Sequence, residues 1–244
     1  MPLNTYTGIV LRGANYGNYD KLLTVFTREA GKLTMAARGA RKQGSPLLAL
    51  SQPFSYAEYV AFSGAGRTHI NSGELKESFY PIREDIDRLA AGSFVLAVTE
   101  AYLPDNEPSD EMFTLLYYIL SYLAYSELSP LDLSICFMSR ALAIAGYMPR
   151  LSLCENCGAA ADGKKRIVFG KAPSCESCGA CAKSGMCVSP LSLEAFRRMS
   201  FIDNKNISKV VLPPRVAREL RGLLYKLTCD TLEKTFKSFE MITR

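Results

Sequence analysis

The hydrophobic period of this 244-residue chain changes at Pro81, and that change limits the fold more than any other feature. Upstream, short runs rich in Val, Ile, Thr, Tyr and Phe alternate with turn residues. Tyr6–Arg12, Leu22–Thr27, Leu33–Arg38, Ser55–Phe62 and Thr68–Lys76 read as strands, broken by Gly13–Asn18, Glu29–Lys32, Gly39–Ser45 and Ser63–Gly66. Five short strands in about 75 residues predict a small closed barrel, OB-like in the first instance, with an SH3-like barrel as the rival.

Downstream, Ile82, Ile86, Leu89, Ala90, Phe94, Ala97 and Ala101 recur at helical spacing until Leu103-Pro104. Ser109 is an N-cap, with Asp110 and Glu111 in the first turn, for a helix to Tyr125. Ser129-Pro130 opens a third helix that closes near Gly146 and Pro149. It is apolar on nearly every side and belongs at the centre of a bundle. Helices resume at Ser189-Pro190, and a final one starts near Pro214 with Leu220, Leu223, Leu224 and Leu227 on one face. The expected fold class is α+β and multidomain. A barrel occupies 1–80, a helical domain with one core occupies 81–150 and 189–244, and 151–188 is an insertion.

Six of the eight cysteines crowd into Cys154–Cys187. Cys154 and Cys157, followed by Gly158, form one knuckle; Cys175, Cys178 and Cys181 offer a second. Paired thiolates two residues apart, repeated after a loop of about twenty residues, close a tetrahedral S4 site that suits one zinc ion. Gly179 favours Cys175 as the partner of Cys178 by knuckle chemistry; Cys181 has the same spacing and Cys187 is a reserve. The segment has no His and no placed general base, so the site reads as structural, with reduced, unmetallated thiols as the plain alternative. Clustered cysteines, no signal-peptide pattern and apolar stretches shorter than a membrane span place the chain in the cytoplasm, near the nucleoid, with no membrane partner.

The net charge of +5 is unevenly spread: +4 over residues 1–80, −6 over 81–153, +2 over 154–188 and +5 over 189–244. Basic ends suit a polyanion. Lys21, Arg28, Lys32, Arg38, Arg41 and Lys42 fall within 22 residues, just after Tyr16 and Tyr19. On a barrel such charges can follow a phosphate backbone while exposed aromatics stack bases, and Gly39–Ser45 reads as a mobile basic loop. The plain alternative is edge protection of strands. Arg215, Arg218 and Arg221 make a stripe on the final helix, either an extension of the phosphate track or an ordinary solvated face. There is no GxxxxGK[ST] loop and no GxGxxG, the one histidine, His69, lies in a strand, and acidic pairs sit at helix starts. The chain therefore reads as a non-enzyme with no small-molecule substrate.

Several stretches together resemble the RecO family of recombination mediators. These are Gly8–Leu11, Tyr16–Leu33, Ala37–Lys42, Leu50–Phe54, and Ala145–Leu151 leading into Cys154-x-x-Cys157-Gly158. The resemblance spans almost the whole chain. It implies an OB barrel, a helical domain and a zinc-binding insertion. It also implies binding to single- and double-stranded DNA, annealing of complementary strands, and loading of RecA onto strands coated by single-stranded DNA-binding protein. RecR and the acidic, hydrophobic C-terminal tail of that coating protein would be direct partners, and RecA an indirect one. In the family a Phe precedes the second Cys-x-x-Cys by some nine residues; counting from Phe169 reaches Cys178 and Cys181, which the resemblance prefers over Cys175. Asn18 stands where the family has an acidic residue, and some members lack the cysteines. Two other classes compete: a zinc-containing protein-interaction adaptor that binds no DNA, and a zinc hydrolase, which would need an open metal position.

Overall fold

The first strand, β1 (Leu3–Tyr16), is long because it has a different partner at each end. Residues 3–9 pair antiparallel with β4 (Tyr56–Gly64) and residues 8–16 with β2 (Asp20–Thr27), with a register shift between Val10 and Arg12 where the strand bends. In this computed structural model, which describes residues 3–64, 67–149, 167–169, 176–178 and 186–242, β3 (Gly31–Ala37) follows β2, and β5 (Arg67–Glu77) follows β4. The sheet closes in the order β1-β2-β3-β5-β4, with β3 and β5 parallel through Met35–Thr68 and Ala36–His69. That parallel pair separates it from an all-antiparallel meander and makes it OB-like. The short helix α1 (Leu47–Leu50) lies in the β3–β4 crossover and turns Leu47 and Leu50 into the barrel core beside Val10, Leu23, Tyr59 and Ile70. The buried Tyr59 hydroxyl is satisfied by the Leu50 carbonyl at 2.9 Å.

Two helices belong to the same compact unit as the barrel. A 3-10 turn (Tyr80–Arg83) leads into α2 (Ile86–Tyr102), whose N-cap Asp85 accepts the Arg88 amide, and α3 (Asp110–Tyr125) follows. They are held there because β2 is apolar on both faces. Leu23 and Val25 point into the barrel, while Phe26 points out and meets Phe113 of α3 edge to face at 5.3 Å. Tyr56 continues the contact to Phe113 and Tyr117. Arg12 binds Glu100, Lys32 binds Asp105 at 3.1 Å, and Arg28 donates to Asp110 at 2.5 Å. The α2–α3 connection lies so close to the β2–β3 turn that a Cβ on Gly31 would stand 2.2 Å from the Glu107 carbonyl oxygen. Gly31 is also left-handed, at φ +70°, so both backbone and space require glycine.

The second unit starts at Ser126, so the chain divides into 1–125 and 126–244. The stretch 81–150, read from its period as part of one helical domain, is shared between the two. In the second unit α4 (Pro130–Ile144), capped by Ser129, packs against α5 (Pro190–Ser200) and α6 (Pro214–Leu232). Arg140 of α4 donates to the Ser200 carbonyl at the end of α5, at 2.9 Å. A three-stranded sheet in the order β7-β6-β8 is built from β6 (Ile167–Phe169), β7 (Glu176–Cys178) and β8 (Met186–Val188). After α6 comes α7 (Lys237–Glu240), whose Phe239 stacks on Tyr225 of α6 at 4.5 Å.

Candidate nucleic-acid interface

The β1–β2 turn and the basic loop after β3 form one surface. Asp20 accepts the Gly39 amide at 2.7 Å, the Arg41 amide donates to the Tyr19 carbonyl at 2.9 Å, and the Arg41 guanidinium reaches the Asn18 carbonyl at 3.4 Å. Gly39 and Gly44 bracket the loop with positive φ, which lets Arg41 and Lys42 ride on a tight turn. Arg38, Arg41 and Lys42 are exposed. Tyr16 and Tyr19 are just over half exposed, at 52% and 53%. Lys21 is half-buried and donates to the Ser51 carbonyl at 3.1 Å. Burial lowers its pKa, and the charge of Arg41 lowers it further, which marks a place where positive charge is concentrated.

Six basic residues of the barrel therefore separate into two groups. Lys21, Arg38, Arg41 and Lys42 gather at the turn and loop. Arg28 and Lys32 lie at the other end of β2 and β3, against the helices: Arg28 pairs with Asp110 and lies over the Phe113 ring at 5.8 Å, and Lys32 also donates to the Glu100 carbonyl. The bond to Asp110 raises the Arg28 pKa. These ties were invisible in sequence because Arg28 and Asp110 stand 82 residues apart. The Asp20 latch gave no sequence signal either.

The stripe on α6 is similarly mixed. Arg215 pairs with Glu219 at 3.2 Å, and Arg218 is exposed. Arg221 is half-buried, lies over Phe239 at 5.4 Å and donates to its carbonyl. Arg218 and Arg221 line a cleft of about 340 Å³ with Leu131, Asp132, Leu212 and Ala217. Asp132 accepts the Leu212 amide there, and burial raises its pKa.

Cys154, Cys157, Cys175 and Cys181 lie outside the described residues. Cys178 ends β7, its backbone paired with Ile167, and Cys187 pairs with Val168 across β6. Among the described residues no three His, Cys, Asp or Glu side chains stand together as metal ligands. No described helix is long and apolar enough to cross a membrane. His69 stacks on Phe62 at 5.3 Å within the barrel.

Residues 1–79 match the family description "Recombination protein O N terminal" and residues 83–240 match "Recombination protein O C terminal". The chain belongs to the recombination protein O family. Relatives of this family named DNA repair protein RecO align along nearly the whole chain. That of Myxococcus xanthus is 31% identical over 239 residues, covering 97% of this chain and 95% of the relative. That of Alkaliphilus metalliredigens is 28% identical over 236 residues, covering 96% of each. That of Acetivibrio thermocellus is 28% identical over 237 residues, covering 97% and 94%. The boundary between the two family segments falls at 79–83, before α2. The compact units divide later, at Tyr125/Ser126.

Proposed function

We propose that this chain is a cytoplasmic DNA repair and recombination mediator that binds single- and double-stranded DNA through its barrel and anneals complementary strands. With RecR it helps load RecA onto strands coated by single-stranded DNA-binding protein. The observation that carries the reading is the latched surface of Arg38, Arg41 and Lys42 beside Lys21, in a chain of this family. Charges on a loop without base-reading geometry contact phosphate and confer little sequence preference. Gel-shift binding of labelled oligonucleotides across a salt series tests it. Micromolar or tighter binding that weakens steeply with salt is expected, and no binding at low salt refutes it. A strand-annealing assay with and without the coating protein tests activity and partnership together.

The cleft on the second unit favours the coating protein's tail as a partner. Its two arginines beside Leu131, Leu212 and Ala217 suit a segment that is both acidic and apolar. Fluorescence anisotropy with a labelled tail peptide, and loss of binding in Arg218→Glu, checks this.

We assign one structural zinc ion to Cys154, Cys157, Cys178 and Cys181, with Cys175 competing for the last place. Four soft thiolates in two pairs fit zinc, and the β7-β6-β8 sheet would carry one ligand at the end of β7. When bound, the ion would clamp the insertion and supply no reaction step. Metal content near one zinc per chain, with an all-sulfur shell in X-ray absorption, is the expected result. An adaptor without DNA binding would instead keep protein partners after nuclease treatment and shift no oligonucleotide.

A further inference from the structure

We infer that Tyr19 is a base-stacking platform capped by Lys42, and that exchange of this cap makes the barrel prefer unpaired strands. The inference rests on the DNA-binding reading above. The Lys42 ammonium lies over the Tyr19 ring, 5.6 Å from its centroid. Its stem folds back across Gly39, within van der Waals reach of that residue's α-carbon side. The backbone that carries the ring is anchored to the loop. The Tyr19 carbonyl is tied to the Arg41 amide, the Asn18 carbonyl to the Arg41 side chain, and the next residue, Asp20, to Gly39. One face of a half-exposed aromatic is thus covered by the flexible cation of an exposed side chain.

An exposed cation–π contact is worth about 0.5–1 kcal/mol, whereas stacking of a base on an aromatic ring is worth about 1–3 kcal/mol. A base therefore displaces Lys42. The displaced ammonium stays on the same turn, between Arg41 and the incoming strand, and takes up a phosphate. Stack and ion contact replace one internal contact, with no rearrangement of the loop. Bases of a duplex are stacked on one another and cannot reach a ring on a loop, so a duplex receives only the phosphate contacts of Arg38, Arg41 and Lys42. The platform separates the two substrates, and the basic loop serves both.

The chain contains no tryptophan, which gives a direct test. Tyr19→Trp places a lone indole at the platform, and titration with an unstructured oligonucleotide quenches its emission while a duplex of equal length leaves it nearly unchanged. In parallel, Tyr19→Ala loses about tenfold in single-strand affinity with duplex affinity held within about twofold, and Tyr19→Phe keeps both. Lys42→Ala lowers the slope of log affinity against log salt by about one for both substrates. Equal loss on both substrates in Tyr19→Ala, or DNA binding with no quenching of the indole, overturns the platform alone. Absence of any DNA binding by the unsubstituted protein overturns the DNA-binding reading and the platform with it.

Discussion

The Asp20 carboxylate accepts the Gly39 amide at 2.7 Å and so joins the β1–β2 turn to the basic loop. An acidic residue amid lysines and arginines opposes a polyanion, and its place here follows from the backbone it holds. The two roles separate by substitution. Asp20→Asn keeps an acceptor and removes the charge, so DNA binding tightens about two- to threefold at low salt. Asp20→Ala removes both, and the Gly39 amide then exchanges with solvent faster. Amide hydrogen exchange of Gly39 distinguishes them: protection persists in the Asn variant and falls in the Ala variant.

Gly31→Ala drives a methyl group into the Glu107 backbone and places alanine at φ +70°. A loss of about 3 kcal/mol or more follows, since neither clash nor dihedral can relax cheaply. Gly44, at φ +73°, has open space where a Cβ would be, so Gly44→Ala carries the dihedral cost alone, about 1 kcal/mol. Urea unfolding of the two variants side by side measures the difference.

Phe113→Ala removes the side chain that covers Phe26 and Tyr56, and leaves Arg28 without its aromatic neighbour. A buried Phe truncated to Ala costs about 3–5 kcal/mol. The urea midpoint falls accordingly, while an Arg28→Ala variant, which breaks an exposed ion pair, loses about 1 kcal/mol or less.

Glu219 sets an acid limit on the second unit. Burial alone would raise its pKa, but bonds from Ser189, Ser192 and Arg215 outweigh it and hold the carboxyl at about 2, against an ordinary 4.5. A depressed carboxylate stabilises the fold fully above its unfolded pKa, and that contribution drains away as pH falls from 4.5 towards 2. Glu219→Gln is therefore less stable at neutral pH, by about 1–2 kcal/mol, and its stability depends less on pH across that acid window. Thermal unfolding at stepped pH values reads the slope.

The five barrel strands and the helices α2 to α6 were legible, because period-two and helical spacing survive in single segments and Ser-Pro caps mark starts at Ser129 and Ser189, whereas the three-residue strands β6 to β8 are too short to show a period. Less legible were features that depend on partners far along the chain. β1 extends to Leu3 and Tyr16 because β4 and β2 each complete one of its ends. The four-residue α1 is too short to show a period. The basic cluster was visible as composition, yet nothing local tells that Arg28 and Lys32 meet Asp110 and Asp105 while Arg41 and Lys42 stay on the surface. The division at Tyr125 was hidden for the same reason: α2 and α3 have helical spacing like α4, and it is contacts such as the outward Phe26 on β2 with Phe113 that hold them to the barrel.

The edge-to-face contact of Phe26 with Phe113 also sets a schedule. A ribosome delivers β2 early and α3 only after every barrel strand has emerged, on the order of ten seconds later at about 5–20 residues per second. Throughout that interval the nascent barrel carries a bare aromatic ring on its outer wall. Until α3 arrives, that ring is apolar surface of the kind that chaperones shelter.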